Sequence, residues 1–197
     1  MKRIASLAVC AFFLAAATGA SAAEVMYVGA LNGAQESPSI TTTGVGDVTV
    51  TIDTVALTML VETTFSGLMS GTAAAHIHCC FVPGGPANVN VATAVPTFPG
   101  FPLGVTEGNY VMSFDLTDAA TYNPAFVTAN GGTVSGAMTA LLDGLADKNA
   151  YFNIHTDQNP TGEIRDFLVP CNPQPIPEPG LALLAFVAGG LVLSRRA

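Results

Sequence analysis

The chain contains three histidines: two separated by a single residue in His76-Ile77-His78, and a third in Tyr151-Phe152-Asn153-Ile154-His155. On a β-strand, residues two apart point to the same side. His76 and His78, with Cys80 after them, would therefore share one face, and Ile77 and Cys79 the other. The segment that ends in His155 alternates in the same way. Three neutral imidazoles from two strands form a donor set for zinc or copper, filling three positions of a tetrahedral shell and leaving the fourth open. Glu163, or the thiolate of Cys80 if it stays reduced, is the candidate fourth ligand. The competing reading is structural. His76 and His78 could donate to backbone carbonyls in the loop from Pro83 to Gly104, and His155 could cap a hairpin beside Glu163, with Arg165 paired to a carboxylate. No separate general base or nucleophile stands beside the histidines, which argues against an enzyme and leaves no catalytic residues to name.

The elements that must carry these residues read as strands. Val25 to Leu31 is a first extended run. Asp47 to Asp53 alternates strictly, with Val48, Val50 and Ile52 on one side and Thr49 and Thr51 on the other, the pattern of a half-buried strand. Asp53-Thr54 reads as a turn into a return strand over Ala56 to Phe65. After the histidine strand, Pro83 to Gly104 carries five prolines and four glycines and reads as a long loop. Tyr110, Met112, Phe114 and Leu116 are in phase on a further strand. Pro124 suits a first helical turn, and Met138, Leu141, Leu142 and Leu145 fall on one face of a second helix. A closing hairpin is expected over Ala150 to Thr156 and Glu163 to Val169. Six or seven strands with one or two short inserted helices predict a mainly β fold, an antiparallel β-sandwich or barrel-like single domain.

Both ends read as processing segments. Lys2-Arg3, an apolar run over Ile4 to Ala17 and the small residues Ala20-Ser21-Ala22 are the parts of a signal peptide over residues 1–22. Residues 24–170 form the main domain. Residues 171–180 are a Pro-rich linker that includes Pro177-Glu178-Pro179, and residues 181–197 are an apolar helix that ends in Arg195-Arg196 and Ala197. The apolar stretch from Leu181 to Leu193 reaches only about 20 Å as a helix, short of the hydrocarbon core of a bilayer. It suits a transient anchor better than a permanent span. Residues 24–176 hold thirteen acids against Lys148 and Arg165, a balance that repels phosphate backbones and excludes nucleic acid as a partner.

Three cysteines lie beyond the signal peptide: Cys79, Cys80 and Cys171. An oxidising compartment favours one disulfide. A bridge from Cys79 or Cys80 to Cys171 is expected ahead of a vicinal one and would close a loop of about ninety residues, contributing about 4 to 5 kcal/mol on the chain-entropy model.

Several motifs together resemble a known family. Leu31-Asn-Gly-Ala-Gln-Glu36-Ser-Pro38, Ser66-Gly67-Leu68, Ala75-His-Ile-His78, Tyr151-Phe-Asn-Ile-His155-Thr and Gly162-Glu-Ile-Arg165 look like the CHRD domain, from about Gly29 to Val169. Asp166 departs from the pattern, standing where the family usually has glycine. The tail, Pro177-Glu178-Pro179 followed by the apolar helix and Arg195-Arg196, resembles the PEP-CTERM sorting signal. The two resemblances imply a non-enzymatic binding or structural module of a Gram-negative cell envelope or extracellular matrix. Its partners would be signal peptidase and exosortase during processing, and an envelope polysaccharide or protein afterwards.

Overall fold

A computed structural model describes residues 24–85 and 87–171. The signal peptide, the PEP motif and the apolar tail expected from the sequence lie outside the described residues. Eight strands form one antiparallel sheet: β1 (Glu24–Asn32), β2 (Val45–Asp53), β3 (Thr58–Ser66), β4 (Thr72–His78), β5 (Gly108–Asp115), β6 (Tyr151–Thr156), β7 (Ile164–Phe167) and β8 (Val169–Cys171). The order across the sheet is β4-β6-β7-β1-β2-β3-β5, with β8 also paired to β1. The sheet curls into a half-barrel, the barrel-like form of the expected fold. Two helices, α1 (Pro124–Ala129) and α2 (Val134–Ala146), follow β5.

The strictly alternating strand is β2, and its partner is β3. Val50 lies opposite Val61 and Ile52 opposite Met59, and all four side chains are buried. Their hydroxylic and charged neighbours face outward, because a single-residue slip would bring the polar set into the core. The turn between them is fixed by Asp53, whose Oδ1 accepts from the N–H groups of Val55 and Ala56. The return strand was expected over Glu163 to Val169, but the structure breaks it at Leu168. β7 pairs with β6 up to Phe167, and β8 then pairs with β1. Leu168 itself is fully buried, and its N–H reaches the carbonyl of Ala150. β7 also touches β1 at Asn32–Arg165, and beyond Leu168 the pairing continues with β1 alone.

The helices start where the sequence supplies caps. Pro124 sits in the first turn of α1 behind Asn123, and the Thr133 hydroxyl accepts from Gly136 N–H at the start of α2. The face that α2 buries is Ala137, Leu141, Gly144 and Leu145, with Met138 and Leu142 only partly covered. The expected stripe is therefore rotated, because Gly144 must pass over two sulfur atoms. A Cβ there would overlap Cys79 Sγ and lie 2.8 Å from Cys80 Sγ.

Those sulfurs are bonded to each other. Cys79 and Cys80 form a vicinal disulfide and Cys171 is a free, exposed thiol, so the expected long-range bridge is corrected. Cys171 lies opposite Met26 on the outside of β1, whereas Cys79 and Cys80 point under α2 toward the Ala140 carbonyl.

Candidate metal centre

β4 and β6 are antiparallel neighbours, and their register decides which side chains meet. Ala74 lies opposite His155, His76 opposite Asn153 and His78 opposite Tyr151. Directly opposed residues share a face. Ala75, Ile77, Phe152 and Ile154 are therefore turned into the apolar core, and the three histidines are gathered on the reverse side. This reverse side is covered too. Every residue of β6 is buried, because the segments around Glu36, Val89, Pro96 and Pro160 lie over it. The long Pro-rich loop expected between Pro83 and Gly104 supplies part of that cover. It also drives Phe98 into the core against Phe114 and Phe152.

Each imidazole is held by one nitrogen. His76 Nε2 lies 2.7 Å from the Pro96 carbonyl, His78 Nδ1 2.7 Å from that of Val89, and His155 Nδ1 3.0 Å from that of Pro160. A carbonyl only accepts, so each of these nitrogens carries the proton and donates. The other nitrogen of each neutral ring then presents a lone pair. Those three atoms, His76 Nδ1, His78 Nε2 and His155 Nε2, are buried with no hydrogen-bond partner. The ligand atoms of the three residues lie within 4.8 Å of one another. Ring centroids are 5.2 to 5.9 Å apart, and the His76 ring meets both others edge-on. A tetrahedral ion at about 2.0 to 2.1 Å would need ligand nitrogens roughly 3.4 Å apart. A carbonyl holding the far nitrogen is also how metal-bound histidines are oriented.

Burial keeps the rings neutral. It lowers His78 to about 4, against the Val89 hydrogen bond that raises it and with the other two imidazoles and Arg165 pushing the same way as burial. His155 is brought to about 4 by burial and by His76, and His76 is lowered by burial. The residues are only 6 to 9 % exposed. Three buried neutral imidazoles side by side disfavour a proton that would charge one ring among the others.

The structural reading of the histidines and the metal reading are thus not alternatives. The expected carbonyl contacts exist, and each leaves the other nitrogen of its ring without a partner. Arg165 is also paired as expected: its Nε lies 3.7 Å from Glu36 Oε2, and both side chains are almost fully covered. The guanidinium stands 4.6 Å above the Tyr151 ring, which stacks on His78 at 4.8 Å and 7°.

Neither candidate fourth ligand joins the group. Glu163 is fully buried, but its Oε1 accepts from the Thr42 hydroxyl and Met69 N–H and its Oε2 from the Thr156 hydroxyl and Asn159. It ties three loops together and has no lone pair to spare. Cys80 is held in the disulfide. Asp166, where the resemblance leads one to expect glycine, accepts from Ala30 N–H and so links β7 to β1 through its side chain. The pairing of Glu36 with Arg165 and its place beside Asn153 arise from contacts more than a hundred residues apart, and the motif Leu31 to Pro38 gave the one local signal.

The profile of the CHRD domain matches residues 27–168. No curated protein and no solved structure matches the chain.

Proposed function

This chain belongs to the CHRD-domain family over most of its length, and from that premise we propose that it is an exported binding module, not an enzyme, whose domain holds one zinc or copper ion on His76, His78 and His155. Two observations support the proposal: each of the three histidines has one buried imidazole nitrogen with no partner while a carbonyl holds the other, and each residue can offer a ligand atom within 4.8 Å of those of the other two. Zinc and copper are the ions for which an all-imidazole set is suited.

The site of action follows from the ends of the sequence. The signal peptide and the Pro177-Glu178-Pro179 tail with Arg195-Arg196 support processing by signal peptidase and then by exosortase in the inner membrane. The product is delivered to the envelope or extracellular matrix of a Gram-negative cell, where a polysaccharide or protein is its neighbour.

The metal reading is tested by plasma mass spectrometry on protein purified without a histidine tag, beside a His76→Ala/His78→Ala double variant. About one zinc or copper per wild-type chain and none in the variant is the expected result. Metal-free wild type after purification and reloading would overturn it. For the location, intact-mass analysis of envelope fractions should find a chain that begins near Ala23 and lacks Arg195 and Arg196. A full-length chain confined to the cytosol would remove that part.

A further inference from the structure

Five buried side-chain atoms have no hydrogen-bond partner among the described residues: the three imidazole nitrogens, Glu36 Oε1 and Asn153 Oδ1. An ion on the histidines accounts for three of them. The two oxygens belong to the same patch. Asn153 lies directly opposite His76 and two residues before His155, on the face that carries both, which places its Cβ about 5 Å from that of His76. Glu36 reaches the same spot over Gly162. A Cβ at Gly162 would stand 2.6 Å from Asn153 Oδ1 and 2.7 Å from Glu36 Oε1, so the absence of a side chain there lets the two oxygens approach.

Asn153 Oδ1 is an acceptor, and so is Glu36 Oε1 above the value of about 7 to which burial lifts its carboxyl. Leaving such oxygens buried without a donor costs about 1 to 3 kcal/mol each. Arg165 does not supply the donor to Oε1: its Nε donates to the Gln35 carbonyl and its Nη1 to Asn88 Oδ1, and its nearest approach to Glu36 is to the other oxygen. The patch therefore combines three lone pairs that want a cation with two that want hydrogen-bond donors.

We propose that the fourth position of the metal is built for a neutral, hydrogen-bond-donating ligand, a water or the hydroxyl of a small molecule, with Asn153 Oδ1 accepting its hydrogen bond and Glu36 standing behind as the second acceptor. Asn153 and Glu36 are positioning residues: they select the exogenous ligand and disfavour an anion. This inference rests on the metal reading above.

The test uses azide as an anionic probe on the copper-loaded full chain, followed by its charge-transfer band. It is run at pH 8, above the value of about 7 to which burial lifts the Glu36 carboxyl. Glu36→Gln removes the negative charge at constant shape and should tighten azide binding about tenfold. Asn153→Asp adds a charge beside the ion and should weaken it by a similar factor, which keeps the test open if the first variant fails to fold. Equal azide affinity in wild type and whichever variant is folded would overturn the inference and leave the metal site standing. Failure of the wild type to take up copper would overturn both.

Discussion

The two ends of the sheet use the same alternation for different purposes. In β2 and β3 one face is packed and the other wet, so buried and exposed positions take turns along each strand. In β6 all six residues are buried, because loops cover the outer face as the core covers the inner one. The covered outer face is where polar groups accumulate: His76, His78, Asn153, His155, Arg165 and Glu36. Burying polar groups is unfavourable unless each finds a partner, and here the partners are carbonyls, one ion pair and a set of inward lone pairs. One half of the sheet thus carries stability, and the other half gives up some of it to form a site.

The sharpest way to test this division is with metal. Excess zinc should raise the melting temperature of the wild type, by the equivalent of about 2.7 kcal/mol at a hundredfold excess over the dissociation constant. The His76→Ala/His78→Ala variant should show no shift. A zinc-induced shift of equal size in the variant would place the ion elsewhere.

The reciprocal substitution falls in the single-sided half. Met59 is fully buried between β2 and β5, and Met59→Ala should cost about 2 to 5 kcal/mol in urea unfolding while metal content stays at the wild-type level. Loss of metal along with stability would show that the two halves are not separable.

A smaller effect is expected from pH in the metal-free protein. With His78 and His155 at about 4 and His76 also lowered, the unfolded chain holds more protons than the folded one between pH 4 and 6.5. Stability therefore rises with pH across that window. Glu36 opposes this. Burial holds it up to about 7 against the pull of Arg165, so from pH 4.5 to 7 the folded chain retains a proton that the unfolded chain has released, and stability falls as pH rises. The histidines outnumber it. Denaturant midpoints at the two ends of the window should differ in favour of the higher pH, and Glu36→Gln should widen the difference. An unchanged difference in that variant would mean that Glu36 is not held in its protonated form.

The smallest effect belongs to the cysteine once expected to bridge the fold. Cys171→Ser should change stability by less than about 0.5 kcal/mol and lower the count of titratable thiols by one, since Cys171 is exposed and unbonded. A loss of several kcal/mol would restore the long-range disulfide.

Most strands were legible because their alternation is local. Val48 to Ile52 and Tyr151 to His155 declare a period of two within a few residues, and the same period placed the three imidazoles on facing strands. The break at Leu168 was not legible, since Glu163 to Val169 looks continuous and only the competition between β6 and β1 for its backbone divides it. The disulfide was misplaced because spacing along the chain does not say that α2 will press on Cys79 and Cys80 through Gly144. Glu36 and Asn153 were passed over for a related reason. Each stands out only as one residue of its motif, and their meeting depends on the missing side chain of Gly162.

His155 stands 77 residues beyond His78, so the three ligands are strangers in the unfolded chain and become neighbours only when the last hairpin docks on β4. An ion held there would act as a clasp on the finished fold, its binding energy being folding energy. A chain threaded across a membrane in extended form carries no such clasp. Whatever ion is found in the mature protein would therefore be a record of the compartment in which folding was completed.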